Sequence, residues 1–216
     1  MEKKYRLLEN DTITVGFKTL YRIEALKDFA GVKKGDKGGY VEKEENLSHE
    51  DNCWVYDNAR VYDNARVFDK VCVADNACVY GNTRVYGNTR VSDNARVSDY
   101  AHVAGNACVC GNAQVYDDAW VFGNAQVYDD ALVYGNAQVS DNAQVYGNAW
   151  VYDNARVYDN ARVFDKVCVA DNACVYGNAC VYDTAWVYGN ARVYGRAKVS
   201  GDVKVYDKAK VYKCAE

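Results

Sequence analysis

Valine recurs at positions 55, 61, 67 and 73 and at every sixth position thereafter to Val211, 27 times without one insertion or deletion. The unit reads Val-Tyr-Asp/Gly-Asn-Ala-x, as in Val55-Tyr56-Asp57-Asn58-Ala59-Arg60. The residue two before the next Val is Ala in 22 of the 27 units, counting Ala215; Val71, Thr83, Thr89, Val167 and Val203 are the exceptions. A strict period of six fits neither a helical period nor a heptad. It suits a short strand followed by a turn, repeated without interruption.

Ala59, Arg60, Val61 and Tyr62 are expected to form one such strand, with Ala59 and Val61 pointing inward and Arg60 and Tyr62 outward. Asp63-Asn64 makes the corner, where Asn or Gly supplies left-handed backbone angles and Asp bonds its local backbone. Gly replaces Asp at several corners, among them Gly81-Asn82 and Gly123-Asn124. A core of Val and Ala alone is narrow, and only tightly wound coils fill so small a space without voids. The pattern predicts an all-β parallel β-helix.

The unit resembles the hexapeptide repeat of left-handed parallel β-helices, over roughly residues 36–216. That resemblance implies a left hand and three hexapeptides in each triangular coil of 18 residues, so that the 27 units make nine coils. At ~4.8 Å per coil the rod would be roughly 43 Å long. Tyr after the aliphatic residue departs from the small residue usual in that family.

Residues 1–35 differ in composition and read as an N-terminal β cap on a repeat domain spanning 36–216. Thr12-Ile13-Thr14-Val15 and Leu20-Tyr21-Arg22-Ile23 read as strands around a turn at Gly16. Val41, Leu47 and Cys53 are again six apart and run into the register of Ala59, so an irregular coil is expected to begin near Asp36. A cap of this kind covers the first coil and blocks edge stacking. The segments Arg22–Phe29, Gly35–Val41, Asn46–Ser48 and Cys53–Tyr56 resemble the cap of a bacterial and phage β-helix group. Its members carry the labels acyltransferase-like or polymer-forming hexapeptide protein.

The outward position after each Val is Tyr in 16 units and Phe in three. In coils of 18 residues, Tyr116, Tyr134 and Tyr152 form one column, and Tyr158, Tyr176, Tyr194 and Tyr212 another, with rings ~5 Å apart. Arg66 and Arg84 are expected to stack near Phe68 and Tyr86 as cation–π pairs. Arg192, Arg196, Lys198, Lys204, Lys208, Lys210 and Lys213 make the last coils basic, either as a charged cap against end-to-end growth or as a contact for an anion or nucleic acid. Val burial alone does not offset the entropy of ordering so long an array, so a homo-oligomer is expected.

Catalysis is disfavoured. Of the two histidines, His49 lies near the cap, and His102 replaces Arg in Tyr100-Ala101-His102-Val103 and reads as a surface substitution rather than a general base. No loop interrupts the 27 units. Residues 55–82 recur identically at 151–178, an offset of 16 units, which moves the copy to a different side of a three-sided coil. An active site would not tolerate that displacement. The nine Cys (Cys53, Cys72, Cys78, Cys108, Cys110, Cys168, Cys174, Cys180 and Cys214) include no pair 18 apart and no CxxC, which favours free thiols over disulfides or zinc. Asp57, Asp75 and Asp93 align along one corner, where capping is the expected role rather than metal binding. No cofactor is expected.

Net charge is −4, which does not steer the chain as a whole to nucleic acid or acidic lipid. No apolar run is long enough to span a membrane and Met1-Glu2-Lys3-Lys4 opens no apolar secretion segment, so residence in a bacterial cytoplasm is expected. The favoured function is a non-enzymatic interaction protein presenting Tyr/Arg ladders to a protein partner or to itself. Resemblance to phage and prophage proteins implies an accessory role, inhibition of a bacterial defence component among them. A self-assembling structural or fibre element and an acyltransferase-like hexapeptide protein are the alternatives.

Overall fold

The computed structural model describes residues 2–213; Cys214 and Ala215 lie outside them. All but two hexapeptides contribute a two-residue strand, such as Arg60–Val61, rather than the four-residue strand that alternation suggests; Arg192–Gly195 and Lys210–Lys213 are four residues long. The turn claims the flanking residue: Ala59 donates its N–H to the Tyr56 carbonyl at 3.0 Å. Pairing is parallel at an offset of 18, with Arg60 opposite Cys78 and Val61 opposite Val79. Arg60 and Tyr62 donate to the carbonyls of Ala77 and Val79 at 2.9 and 3.1 Å, so every coil is bonded to the next.

Among the described residues the strands form three sheets of twelve, nine and nine strands, one for each side of the solenoid. Ala59, Val61, Ala65 and Val67 and their equivalents through Val199 are buried, and Val and Ala, with Thr83 and Thr89, make a continuous axial core; in the last coil Val203 and Ala209 are exposed. The copied block does change sides. Val61 belongs to the twelve-stranded sheet, whereas its copy Val157 belongs to a nine-stranded one.

The corners differ from the expected arrangement in which residue bends. Asp, not Asn, takes the left-handed conformation, with φ of 51° at Asp57 and 63° at Asp63. Asp tolerates this region better than most side chains. Its carboxylate does not serve the local backbone but the next coil: Asp63 Oδ2 accepts the N–H of Gly81 at 3.1 Å. Asn is left free to form a side-chain ladder, in which Asn64 Nδ2 donates to Asn82 Oδ1 at 3.1 Å and Asn106 Nδ2 to Asn124 Oδ1 at 3.0 Å. At Gly87 the coils approach so closely that a Cβ would stand 2.6 Å from the Gly105 carbonyl oxygen.

The N-terminal segment is an antiparallel hairpin of β1 (Tyr5–Val15) and β2 (Lys18–Ala25), turning at Gly16 with φ +60°. β3 (Lys37–Val41) pairs antiparallel with β2 and parallel with Arg60–Val61, so the hairpin extends one side of the solenoid. Tyr5, Ile23, Leu47 and Trp54 are buried and plug the end of the axial core. Phe29 meets Trp54 edge-on at 5.3 Å. Lys4 is buried beside them and donates to the Cys53 carbonyl at 2.8 Å.

Val41, Leu47 and Cys53 are all buried, but only Cys53 shares the register of Ala59. Val41 lies opposite Val61 and Leu47 opposite Val67, both 20 residues apart, while Trp54 lies opposite Cys72, 18 apart. The corner spanning residues 48–52 therefore holds two more residues than the corners above it. An apolar period of six continues through the sequence there, but the column it occupies changes from Val to Ala.

Candidate functional site

Parallel pairing without register shift places identical outward positions directly above one another, and the rings stack. Tyr116, Tyr134 and Tyr152 lie at successive centroid distances of 4.9 and 5.0 Å, with planes within 4°. Tyr158, Tyr176, Tyr194 and Tyr212 follow at 4.9, 5.1 and 5.4 Å. A third column, Tyr128, Tyr146, Phe164 and Tyr182, stands on the remaining side at 4.7, 4.9 and 5.3 Å. Most of these rings are half-buried, because their neighbours cover both faces. That burial, with Tyr152 and Tyr116 alongside, pushes the Tyr134 phenol up to about 12.

Arg66 and Arg84 do not sit over Phe68 and Tyr86. Phe68 and Tyr86 stack on each other at 5.2 Å, and Arg66 lies in register with Arg84 at exposed positions. Side chains two apart on a strand stand side by side, and the ring faces already belong to the column. Among the described residues, Lys204 over the Trp186 ring at 5.9 Å is the cation–π contact on the repeat array.

The basic residues of the last coils are exposed but divided among the sides. Arg192 and Lys210 pair on one, Lys198 pairs with Cys180 on the second, and Lys204 pairs with Trp186 on the third. Arg196 and Lys208 occupy turn positions, so the cluster is a collar rather than one patch.

Two shallow cavities bring together residues from these groups. One, of about 370 Å³, is lined by Ser140, Arg156, Tyr158, Cys174, Tyr176 and Arg192. The other, of about 200 Å³, is lined by Tyr152, Asp153, Ala170, Asp171, Trp186, Tyr188 and Lys204. Three tryptophans, which the period of six does not single out, join these groups. Trp120, Trp150 and Trp186 occupy the position before Val and are 41%, 44% and 45% exposed, and Trp150 and Trp186 flank Cys168 on one side of the rod.

The histidines are built into stacks. His102 lies on Trp120 at 4.4 Å and 8°, with a buried Nδ1 that has no partner. Burial, then the Arg84 charge, lowers its pKa. His49 stacks on Tyr5 at 4.3 Å and accepts the Lys4 N–H through Nδ1 at 3.2 Å.

The eight described cysteines are free. Cys108 and Cys110 neighbour each other, and this pairing holds the Cys108 thiol below its ordinary value and pushes Cys110 up. Asp57, Asp75 and Asp93 each engage the backbone N–H of the next corner, at 3.4, 3.1 and 3.0 Å. Among the described residues, no group of three His, Cys, Asp or Glu side chains is arranged to hold a metal ion, and no helix is long and apolar enough to cross a membrane.

The YdcK β-solenoid repeat model matches residues 55–69, 59–75, 89–105, 125–141, 137–153, 143–156 and 155–169. No curated protein matches the chain. The chain is a β-solenoid repeat protein, and its repeats are similar to the YdcK β-solenoid repeat.

Proposed function

We propose that this solenoid is a non-enzymatic interaction protein whose sides, ordered by aromatic columns, engage a protein partner. The observation that carries the reading is the side bearing Trp150 and Trp186. Both indoles are nearly half exposed, next to the column of Tyr116, Tyr134 and Tyr152. Large rings held by a rigid, fully hydrogen-bonded backbone lose little freedom on binding, and such rings are typical anchors of interfaces. The copied block supports the same reading, since units that work on two different sides act as surface modules rather than parts of one catalytic constellation.

The test is affinity capture on the immobilised protein from a bacterial lysate, with and without nuclease, beside a Trp150→Ser/Trp186→Ser variant. A protein retained in stoichiometric amount, insensitive to nuclease and lost in the variant, is the expected result; a defence component is the partner class that the resemblance to phage proteins adds. Retention that nuclease abolishes, or that the variant keeps, overturns the reading. Two further measurements separate the alternatives. Light scattering reports self-association, and acyl-CoA binding lost in His102→Ala marks an acyltransferase relative.

A further inference from the structure

The column that holds Tyr134 and Tyr152 continues, beyond one break, with Tyr188 and Tyr206, whose rings stack at 5.5 Å. The break is Ala170, at a position where 16 other units carry Tyr. The backbone does not close up around it: Tyr152 donates to the Val169 carbonyl at 3.0 Å and Ala170 to that of Val187 at 2.9 Å. Tyr152 and Tyr188 therefore stand two coil steps apart, about 9.6 Å at normal strand spacing. A ring placed midway lies ~5 Å from each, which is the offset-stacking distance that aromatic pairs prefer and that the column itself repeats.

Three features distinguish this gap from the others. Its floor is a methyl group 5% exposed, whereas the gaps at Ser98 and Ser140 carry hydroxyls that donate to Asp99 and Asp141 at 2.7 and 3.1 Å. Its neighbour on the strand, Cys168, is also short, and Trp186 of the next coil lines the gap, whereas beside Ala104 the rings of His102 and Trp120 already stack. It has a ring on both sides. In the copied block the equivalent Ala74 lies between Tyr56 and Ser92 and has a ring on one side only.

We propose that the gap at Ala170 binds a single neutral phenolic ring between Tyr152 and Tyr188, with the phenol hydroxyl donating to the carboxylate of Asp153 or Asp171. The cavity of about 200 Å³ lies below the ~300–1,000 Å³ range of sites for larger ligands and suits one ring. The rim carries Asp153 and Asp171 against the single cation Lys204, so its net negative charge favours a donor on that ring and disfavours an anionic substituent. Asp171 uses Oδ2 for the Gly189 N–H at 2.8 Å and keeps lone pairs for a second donor. The chemistry is shared by a tyrosine side chain of a partner and by a free phenol. The assignment of the occupant to a partner rests on the interaction reading above.

The probes are p-cresol, a Gly-Gly-Tyr-Gly-Gly peptide and 4-methylbenzoate, followed by amide and indole chemical shifts of the full chain. Saturable shifts centred on Ala170 and Trp186 with p-cresol, at least tenfold weaker with 4-methylbenzoate, are expected. Ala170→Tyr completes the column and is expected to keep or raise the thermal midpoint while reducing p-cresol affinity at least tenfold. Tyr152→Ser removes one wall and is expected to weaken binding similarly. Peptide binding identifies a side chain as the source, and binding of p-cresol without the peptide identifies a free phenol. Unsaturable shifts, or shifts unchanged in Ala170→Tyr, overturn the proposal. A lysate partner retained equally by Ala170→Tyr would leave the interaction reading standing and remove this gap from it.

Discussion

The carboxylate of Asp93 accepts the backbone N–H of Gly111 at 3.0 Å, reaching from one coil to the next. The same residue holds φ at 61°, so it shapes the corner and ties it upward at once. Asp93→Ala loses the acceptor and places Ala in a region costing L-residues about 1–2 kcal/mol. A loss of about 1–2 kcal/mol is expected from the urea-unfolding midpoint, and less than half of that for Asp93→Asn, which keeps a side-chain oxygen and tolerates the left-handed region.

Thr83 is buried where most units carry Ala, and its Oγ1 has no hydrogen-bond partner. Val71 and Val167 show that a branched apolar side chain fits the same place in the unit. Thr83→Val removes an unsatisfied hydroxyl at nearly constant shape and is expected to stabilise the fold by about 1 kcal/mol. An unchanged or lower unfolding midpoint would contradict this.

Its neighbour Cys110 and, secondarily, the Arg90 charge hold the Cys108 thiol below its ordinary value. Burial pushes the Cys53 thiol up. Iodoacetamide is expected to label Cys108 first, with a rate that inflects at lower pH than an ordinary thiol, and Cys53 last. Cys110→Ala removes this neighbour and is expected to move that inflection upward, as read by peptide mass spectrometry.

Tyr134 and Tyr62 both have phenols raised to about 12 from 10.0, chiefly by burial. The sign follows from linkage: the unfolded chain ionises first, so the contribution is complete below pH 10 and disappears as pH rises towards 12. The thermal midpoint is expected to fall over that interval, with phenolate absorbance lagging behind that of a denatured sample. A midpoint insensitive to pH in this window would show that the columns do not resist ionisation.

The stacking of Tyr134 on Tyr116 was legible because the period of six and the 18-residue coil together decide which residues are neighbours. The same arithmetic contained the break at Ala170, visible once residues 152, 170 and 188 are written in one column. It failed where periodicity carries no information. The two added residues at the corner spanning 48–52 leave no mark on the spacing of Val41, Leu47 and Cys53, so the column of Val41 and Leu47 was misassigned. The Arg66 contact with Phe68 was misjudged because chain proximity does not place side chains over one another on a strand. Burial of Lys4 depends on the hairpin folding back over the coil, which no local pattern announces.

The 18-residue turn has a last consequence. Adding or deleting three units slides the outer columns along the rod with their neighbours unchanged. A slip of one unit leaves the valine interior equally well packed yet deals every residue beyond the slip to a new side. Replication errors in such a gene can thus shuffle the exterior wholesale while the scaffold stays intact, offering selection new surfaces without a folding penalty.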